Sequence, residues 1–339
     1  MRIRFLFCSL VALALLLVGA AGCEGEEVAQ QPPADPGPAT AEVEPRAMAS
    51  FTGAVIDPSQ LPPLPDGDGP WQETERDWAI ARGSVEWARE QALGGLPLGE
   101  LAATLAATFV GTPYEPGTLE LPGEERLVVN LHTFDCVTLV EHALVLARLT
   151  VDASVEPADE DGFRDAYREA LMEIRYRDGV LDGYESRLHY FTEWLDHGIA
   201  AGRLEEVTPG LGGIIDDRPI HFMSHHTAAY RQLDEDPALV EQIAEIEARL
   251  SAGIRHYIPQ NAIRDVEEGI RTGDIIAAVS TVDGLDIAHT GFAFRMGERV
   301  HLLHAPLVGD SVEISPLPLA ERIQGISGQK GIRVVRPLN

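Results

Sequence analysis

Lysine is almost missing from this sequence. Lys330 is the only one, and every other basic side chain is an arginine. Mechanisms that need a buried lysine, such as Schiff bases, have at most one residue to use, and there is no P-loop lysine. Positive charge is scarce altogether, with 26 basic against 54 acidic residues and a formal net charge of -28. Such a surface repels phosphate backbones, so nucleic acid is excluded as a partner, and no basic patch is available for a membrane surface. No GxSxG nucleophile turn occurs, which argues against a serine hydrolase. No internal repeat is visible, which argues against a solenoid. The apolar run at residues 5–18 is too short, and wrongly flanked, for a spanning helix.

Cysteine is equally scarce, with Cys8, Cys23 and Cys136 only. Arg2 and Arg4 precede the apolar run, which is followed by small residues in GAAGC. This pattern predicts a secretory signal over residues 1–22. A cysteine directly after Ala-Ala-Gly resembles a bacterial lipobox, which implies cleavage before Cys23 and lipid on its thiol. Attachment to the membrane is then expected through that lipid. Glu24, rather than an aspartate, resembles the sorting pattern for the inner leaflet of the outer membrane, facing the periplasm. Cys8 leaves with the signal and Cys23 is acylated. Cys136 is left as the single free thiol, in a compartment that favours disulfides. A lone thiol there is either buried and inert or retained for its chemistry.

Residues 23–70 read as a tether after the lipidated cysteine. From Glu24 onward they hold ten of the 23 prolines, nine acidic residues and one basic residue, Arg46. This composition cannot bury enough apolar surface to offset its ordering entropy, and proline stiffens it into a spacer. Only residues 51–56 look able to pack, as a strand or apolar arm. Residues 71–339 form the folded domain. Helices are expected at about 71–92, with Trp78, Ile80, Val85 and Trp87 inward, and at 98–110, 134–149, 163–176, 188–197 and 237–250. The last of these is acidic and reads as a solvated face. In 134–149 the apolar positions 137, 140, 144 and 147 fall at three- and four-residue spacing, as a buried face requires. After residue 254 the runs IIAAVST, HTGFAFRM, RVHLLHAP, SVEISP and IRVVRP alternate with Gly, Asp and Pro, the signature of antiparallel strands. Helices first and strands later indicate an α+β fold.

The chemistry concentrates around TFDCVTLVEHALVLARL, residues 133–149. Thr133 or Asp135 can cap this helix, which places Cys136 in its first turn. The unpaired N–H groups and the positive dipole end favour thiolate over thiol, and the same N–H groups suit an oxyanion. A thiolate nucleophile needs a general base. His142 lies on a different helix face, and the adjacent His225 and His226 diverge. His289, at the start of an apolar strand, is the best candidate, and His304 in RVHLLHAP fits a neighbouring strand from which to orient it. A zinc site fits poorly, because His301 and His304, three apart on a strand, point to opposite faces.

The order DCVT, AHTGF, LLHA resembles the NlpC-type cell-wall hydrolases. It is closer still to their N-acetylmuramoyl-L-alanine amidase-like subfamily, whose landmarks GTPYEPGTLE, NLHTFDCVTLVE, SRLHYFTEWL, GDIIAAVSTVDGLDIAHTGFA, HLLHA and GIRVVRP follow in order over residues 96–339. The resemblance implies a papain-like fold, with the nucleophile helix packed on an antiparallel sheet. It implies amide cleavage in peptidoglycan or muropeptides without a cofactor or metal. Carried over position by position, Cys136 is the nucleophile, His289 the base and His304 the third member. Tyr114 in GTPY matches a tyrosine near the oxyanion, and Asp135 is expected on the substrate side of the same turn. The stretch at about 151–260 then reads as a mainly helical insertion that walls the substrate. In it, Arg187 suits a stem-peptide carboxylate, and His189 and Tyr190 suit sugar or peptide contacts. The bond expected to be cut is the amide between N-acetylmuramic acid and L-alanine. The alternatives are a D-γ-glutamyl-diaminopimelate endopeptidase of the same fold and a non-catalytic peptidoglycan-binding lipoprotein. No protein partner is expected.

Overall fold

A computed structural model describes residues 69–307 and 311–339. Cys8, the signal, Cys23, the tether and the apolar segment 51–56 lie outside the described residues.

Five antiparallel pairings on the strands after residue 254 organise the domain. Strand β6 (Ile275–Ser280) pairs with β7 (Ile287–Met296), β7 with β8 (Arg299–His304), and β8 with β9 (Glu313–Ile314). On the other side of β6 lies β10 (Gln329–Pro337), followed by β5 (Arg255–Pro259) and the edge strand β4 (Ile214–Asp216). The end of β10 also pairs with β3 (Leu204–Glu206). Side chains alternate across a strand. Ile275, Ala277 and Val279 of β6 therefore join one core, while Ile276 and Ala278 join a second. Both faces being covered explains why the run IIAAVS is buried throughout.

The first core holds the helices α1 (Glu75–Glu90), α2 (Leu98–Ala107), α3 (Cys136–Val151) and α4 (Glu160–Arg175), together with α5 (Phe191–Ala200). Helix α3 is buried on nearly every side and touches α1, α2, α4 and β7. An apolar helix of that kind belongs in an interior. The short helix α7 (Leu319–Gln324) closes the second core through Leu319, Ala320 and Ile323. A third cluster gathers Tyr184, Tyr190 and Met223 under helix α6 (Pro237–Ala252).

Several elements differ from the expectations. Trp71 and Gln72 are not helical but form β1, which pairs in parallel with β2 (Leu127–Val128). The helix starts after Thr74 because Thr74 and Asp77 cap each other reciprocally. Of its expected inward residues, Trp78 and Val85 are buried, whereas Ile80 and Trp87 are partly covered. The stretch 151–260 is packed into the rest of the domain and carries strands as well as helices. Helix α4 packs on α3, and β3, β4 and β5 belong to the main sheet. Nor is α6 only a solvated face, since Ile243, Ile246, Glu247 and Leu250 are buried.

Candidate active site

Helix α3 begins with a reciprocal cap. The Asp135 carboxylate accepts the N–H groups of Val137 at 2.9 Å and Thr138 at 2.8 Å, and the Asp135 N–H donates to the Thr138 hydroxyl at 2.9 Å. Cys136 is therefore the first residue of the helix. The cap takes up two of the N–H groups that a helix start leaves open and does not engage that of Cys136. Asp135, expected on the substrate side, lines the cleft with Cys136, and its buried carboxylate also accepts the two N–H groups of the turn.

Strands β7 and β8 bring the two histidines together. His289 Nε2 lies 2.8 Å from His304 Nδ1, with the rings edge to face. His289 and Cys136 line one cleft, which includes about 850 Å³ of open space. With Nε2 of His289 against His304, Nδ1 is the ring nitrogen left for another partner. The three residues drawn from distant parts of the sequence thus converge on one place.

Their charge state differs from the expectation. Burial pushes the Cys136 thiol up to about 12, and the Asp135 carboxylate adds to the rise. The backbone N–H groups of Thr290, Cys136 and Val137 oppose it without cancelling it. Burial also holds His289 down to about 3, helped by the Arg322 guanidinium. His304 is lowered by burial, by His289 and by Arg322. Burial thus favours the neutral thiol and the neutral imidazole. Helix-start stabilisation is real, but desolvation of a thiolate exceeds it here.

Charged groups also line the cleft, beside apolar ones such as Leu119, Leu188 and Phe191. Arg175 Nε bonds Glu141 at 2.8 Å and its Nη1 bonds the Val128 carbonyl at 2.6 Å, in a pair buried on both sides. Burial raises Glu141, and Arg175 restrains that rise. Asp286 accepts the Thr192 N–H at 2.8 Å, tying the start of α5 to β7. Glu141, Arg175 and Asp286 were not singled out in the sequence. An acidic residue five positions after Cys136 in a largely apolar helix was a usable signal for the first.

The expected substrate contacts separate into two groups. Arg187 and His189 line the cleft, yet both are engaged within the protein. Arg187 Nη2 bonds Glu120 at 2.6 Å, its Nη1 bonds the Leu119 carbonyl at 3.0 Å, and its Nε lies 3.4 Å from Glu125. This guanidinium is buried, and its charge is spent on two carboxylates of the protein itself. His189 Nε2 lies 2.6 Å from the Tyr184 carbonyl, and burial, then Arg187, hold the ring well below the usual histidine range. Tyr190 is outside the cleft. Its hydroxyl donates to Glu247 at 2.6 Å and accepts the Met223 N–H at 2.9 Å inside the third core. Tyr114 does not line the cleft either. A bridge pairs it with Phe134, two residues before Cys136. Elsewhere His142 Nδ1 meets the Tyr167 hydroxyl at 2.7 Å, and His301 Nδ1 meets the Ser315 carbonyl at 2.8 Å.

A family model described as N-acetylmuramoyl-L-alanine amidase-like matches residues 104–331. Among solved structures, an N-acetylmuramoyl-L-alanine amidase from Bacteroides uniformis is similar at 34% identity over 71% of this chain and 99% of that one, with a TM-score of 0.65. A Bacteroides fragilis protein provisionally named a xylanase is 35% identical over 68% of this chain and 98% of its own, with a TM-score of 0.62. Protein LPG0564 from Legionella pneumophila shares the fold at 20% identity, covering 78% of this chain and 95% of its own, with a TM-score of 0.57. No curated protein sequence is significantly similar.

Proposed function

Because the chain belongs to the N-acetylmuramoyl-L-alanine amidase-like family, we propose that it is a peptidoglycan amidase that cuts between N-acetylmuramic acid and L-alanine by cysteine chemistry. The observation that carries this reading is the His289–His304 contact at 2.8 Å beside Cys136 in one cleft. A nucleophile, a base and a group that orients the base are what amide cleavage through an acyl intermediate requires. The nucleophile helix packed against an antiparallel sheet supports reading the fold as the papain-like NlpC type.

In this mechanism the lactyl carbonyl of the muramoyl group lies against Cys136. As the S–C bond forms, the thiol proton passes to His289 Nδ1. The neutral resting pair makes this transfer part of the attack and not a prior equilibrium. The Cys136 N–H, which the cap does not engage, faces the developing oxyanion. Collapse breaks the C–N bond while His289 returns its proton to the leaving L-alanine amine. Water then attacks the thioester and gives a proton to His289; the S–C bond breaks, that proton returns to the Cys136 sulfur, and the lactyl carboxylate leaves. The lipobox-like GAAGC motif supports the further proposal that Cys23 is lipidated and holds the enzyme at the outer membrane, facing the periplasm.

The test is a digest of disaccharide-tripeptide read by mass spectrometry, with wild type and Cys136→Ala. Free intact tripeptide from wild type, falling by about a thousandfold or more in the variant, is the expected result. Free diaminopimelate would move the cut to the D-γ-glutamyl bond. An unchanged rate in the variant, or binding without any product, would overturn the cysteine amidase reading.

A further inference from the structure

The His289–His304 pair leaves one nitrogen unexplained. His304 is fully buried, its Nδ1 is occupied by His289, and its Nε2 makes no hydrogen bond among the described residues. A carboxylate oxygen of Glu313 stands 3.4 Å from that Nε2. The placement follows from the sheet, because His304 and Glu313 are register partners across β8 and β9. Strand β9 is itself held from its other side. The Gly111 N–H donates to the Val312 carbonyl at 2.9 Å and the Val312 N–H to the Thr112 carbonyl at 2.8 Å. One residue on, the Phe134 N–H donates to the Pro113 carbonyl at 3.0 Å. The segment 111–113 thus fixes both the approach to Cys136 and the strand that carries Glu313.

Tautomers make this geometry informative. His289 can take the thiol proton at Nδ1 only if Nδ1 is bare, so its own proton must sit on Nε2. That N–H donates to His304 Nδ1, which must therefore be bare as well. The His304 proton is then on Nε2, pointing at the Glu313 carboxylate. In the opposite arrangement His304 Nδ1–H donates to His289 Nε2, His289 is protonated on Nδ1, and it cannot act as the base. The hydrogen bond made by one imidazole nitrogen decides the state of the other. We propose that Glu313 is a positioning residue that selects the His304 tautomer and, through it, the tautomer in which His289 is a base. The inference rests on the amidase reading of Cys136 and His289. Glu313 does not line the cleft, so its effect falls on turnover and not on substrate binding. Its negative charge also favours the imidazolium that forms on His289 during attack.

Glu313→Gln keeps an acceptor for the Nε2 proton but removes the charge. Glu313→Leu removes both. The expected order of kcat is wild type, then Glu313→Gln, then Glu313→Leu, with the last reduced at least about tenfold and KM unchanged. Nitrogen-15 spectra of the histidine side chains, recorded in a Cys136→Ala background, read the tautomers without any need for activity. They should show His304 protonated on Nε2 with Glu313 present and redistributed towards Nδ1 in Glu313→Leu. A His304 protonated on Nδ1 in the parent overturns the inference. So does a Glu313→Leu protein with unchanged tautomers or wild-type kcat. If the tautomers respond but wild type cleaves no muropeptide, the positioning role stands and the amidase reading fails.

Discussion

Asp135 and Thr138 cap one another, each donating its own backbone N–H to the other's side chain, at 2.9 and 2.8 Å. This exchange fixes the turn from which Cys136 projects, and it also puts a carboxylate next to the sulfur. The two effects oppose each other and can be separated. Asp135→Asn keeps the acceptor and removes the charge. After burial, that charge is the largest factor raising the Cys136 thiol, so alkylation of Asp135→Asn by iodoacetamide should set in at lower pH than in wild type. Asp135→Ala removes the acceptor and should lose about 1 to 2 kcal/mol in urea unfolding, as lost caps do. Equal stability of the alanine and asparagine variants would show that the cap is dispensable.

Arg322 acts on the same pair from the opposite side. It sits on α7 and lowers both His289 and His304, second to burial for His289. A cation beside an imidazole disfavours the protonated ring and so keeps the base available in acid. Arg322→Met removes that influence, so His289 should rise and the acid limb of kcat/KM should move to higher pH. The same cation favours thiolate at Cys136, so its loss should also make the free thiol harder to ionise. A pH profile of kcat/KM that does not move, or that moves to lower pH, would contradict the assignment.

Periodicity located the helices around Cys136 and the strands around His289 and His304, because an apolar stripe and an alternating run are local properties. Order along the chain also suggested the three residues together. Burial was not readable in the same way. The start of α3 reads as thiolate-favouring from the sequence alone, whereas the depth at which Cys136 sits pushes it the other way. Arg187 shows a similar limit, since its partners Glu120 and Glu125 are more than sixty residues earlier. Tyr190 finds Glu247 on a helix that reads as solvated. Glu313 lies in a two-residue strand whose neighbour is set by register and not by any local pattern.

Removing Arg187 tests whether it is a structural ion pair or a substrate receptor. Its guanidinium is buried between Glu120 and Glu125, and burial already raises Glu125 against the restraining effect of Arg187. Arg187→Met leaves both carboxylates without their cation. Breaking a buried pair from one side typically costs about 3 to 5 kcal/mol. Urea unfolding at neutral pH should show a loss of that order, and Glu125 should rise further and take up a proton more readily. A variant of unchanged stability whose only defect is a raised KM would instead restore the receptor role.

Gly291 sets how closely β8 can approach β7 beside His289. It lies two residues after His289, and a Cβ added there would stand 2.5 Å from the Leu303 carbonyl oxygen and 2.9 Å from the His304 Cβ. A carbonyl in a paired strand cannot step aside without moving the strand. Gly291→Ala should therefore push β8 outward, lengthen the 2.8 Å contact between His289 and His304, and leave His289 without its orienting partner. Overpacking of this kind costs about 1 to 3 kcal/mol, which leaves a folded fraction to assay. In that fraction kcat should fall at least about tenfold while KM changes little, because Gly291 does not line the cleft. A folded Gly291→Ala protein with wild-type kcat would mean that the strand spacing, and with it the His289–His304 contact, does not limit turnover.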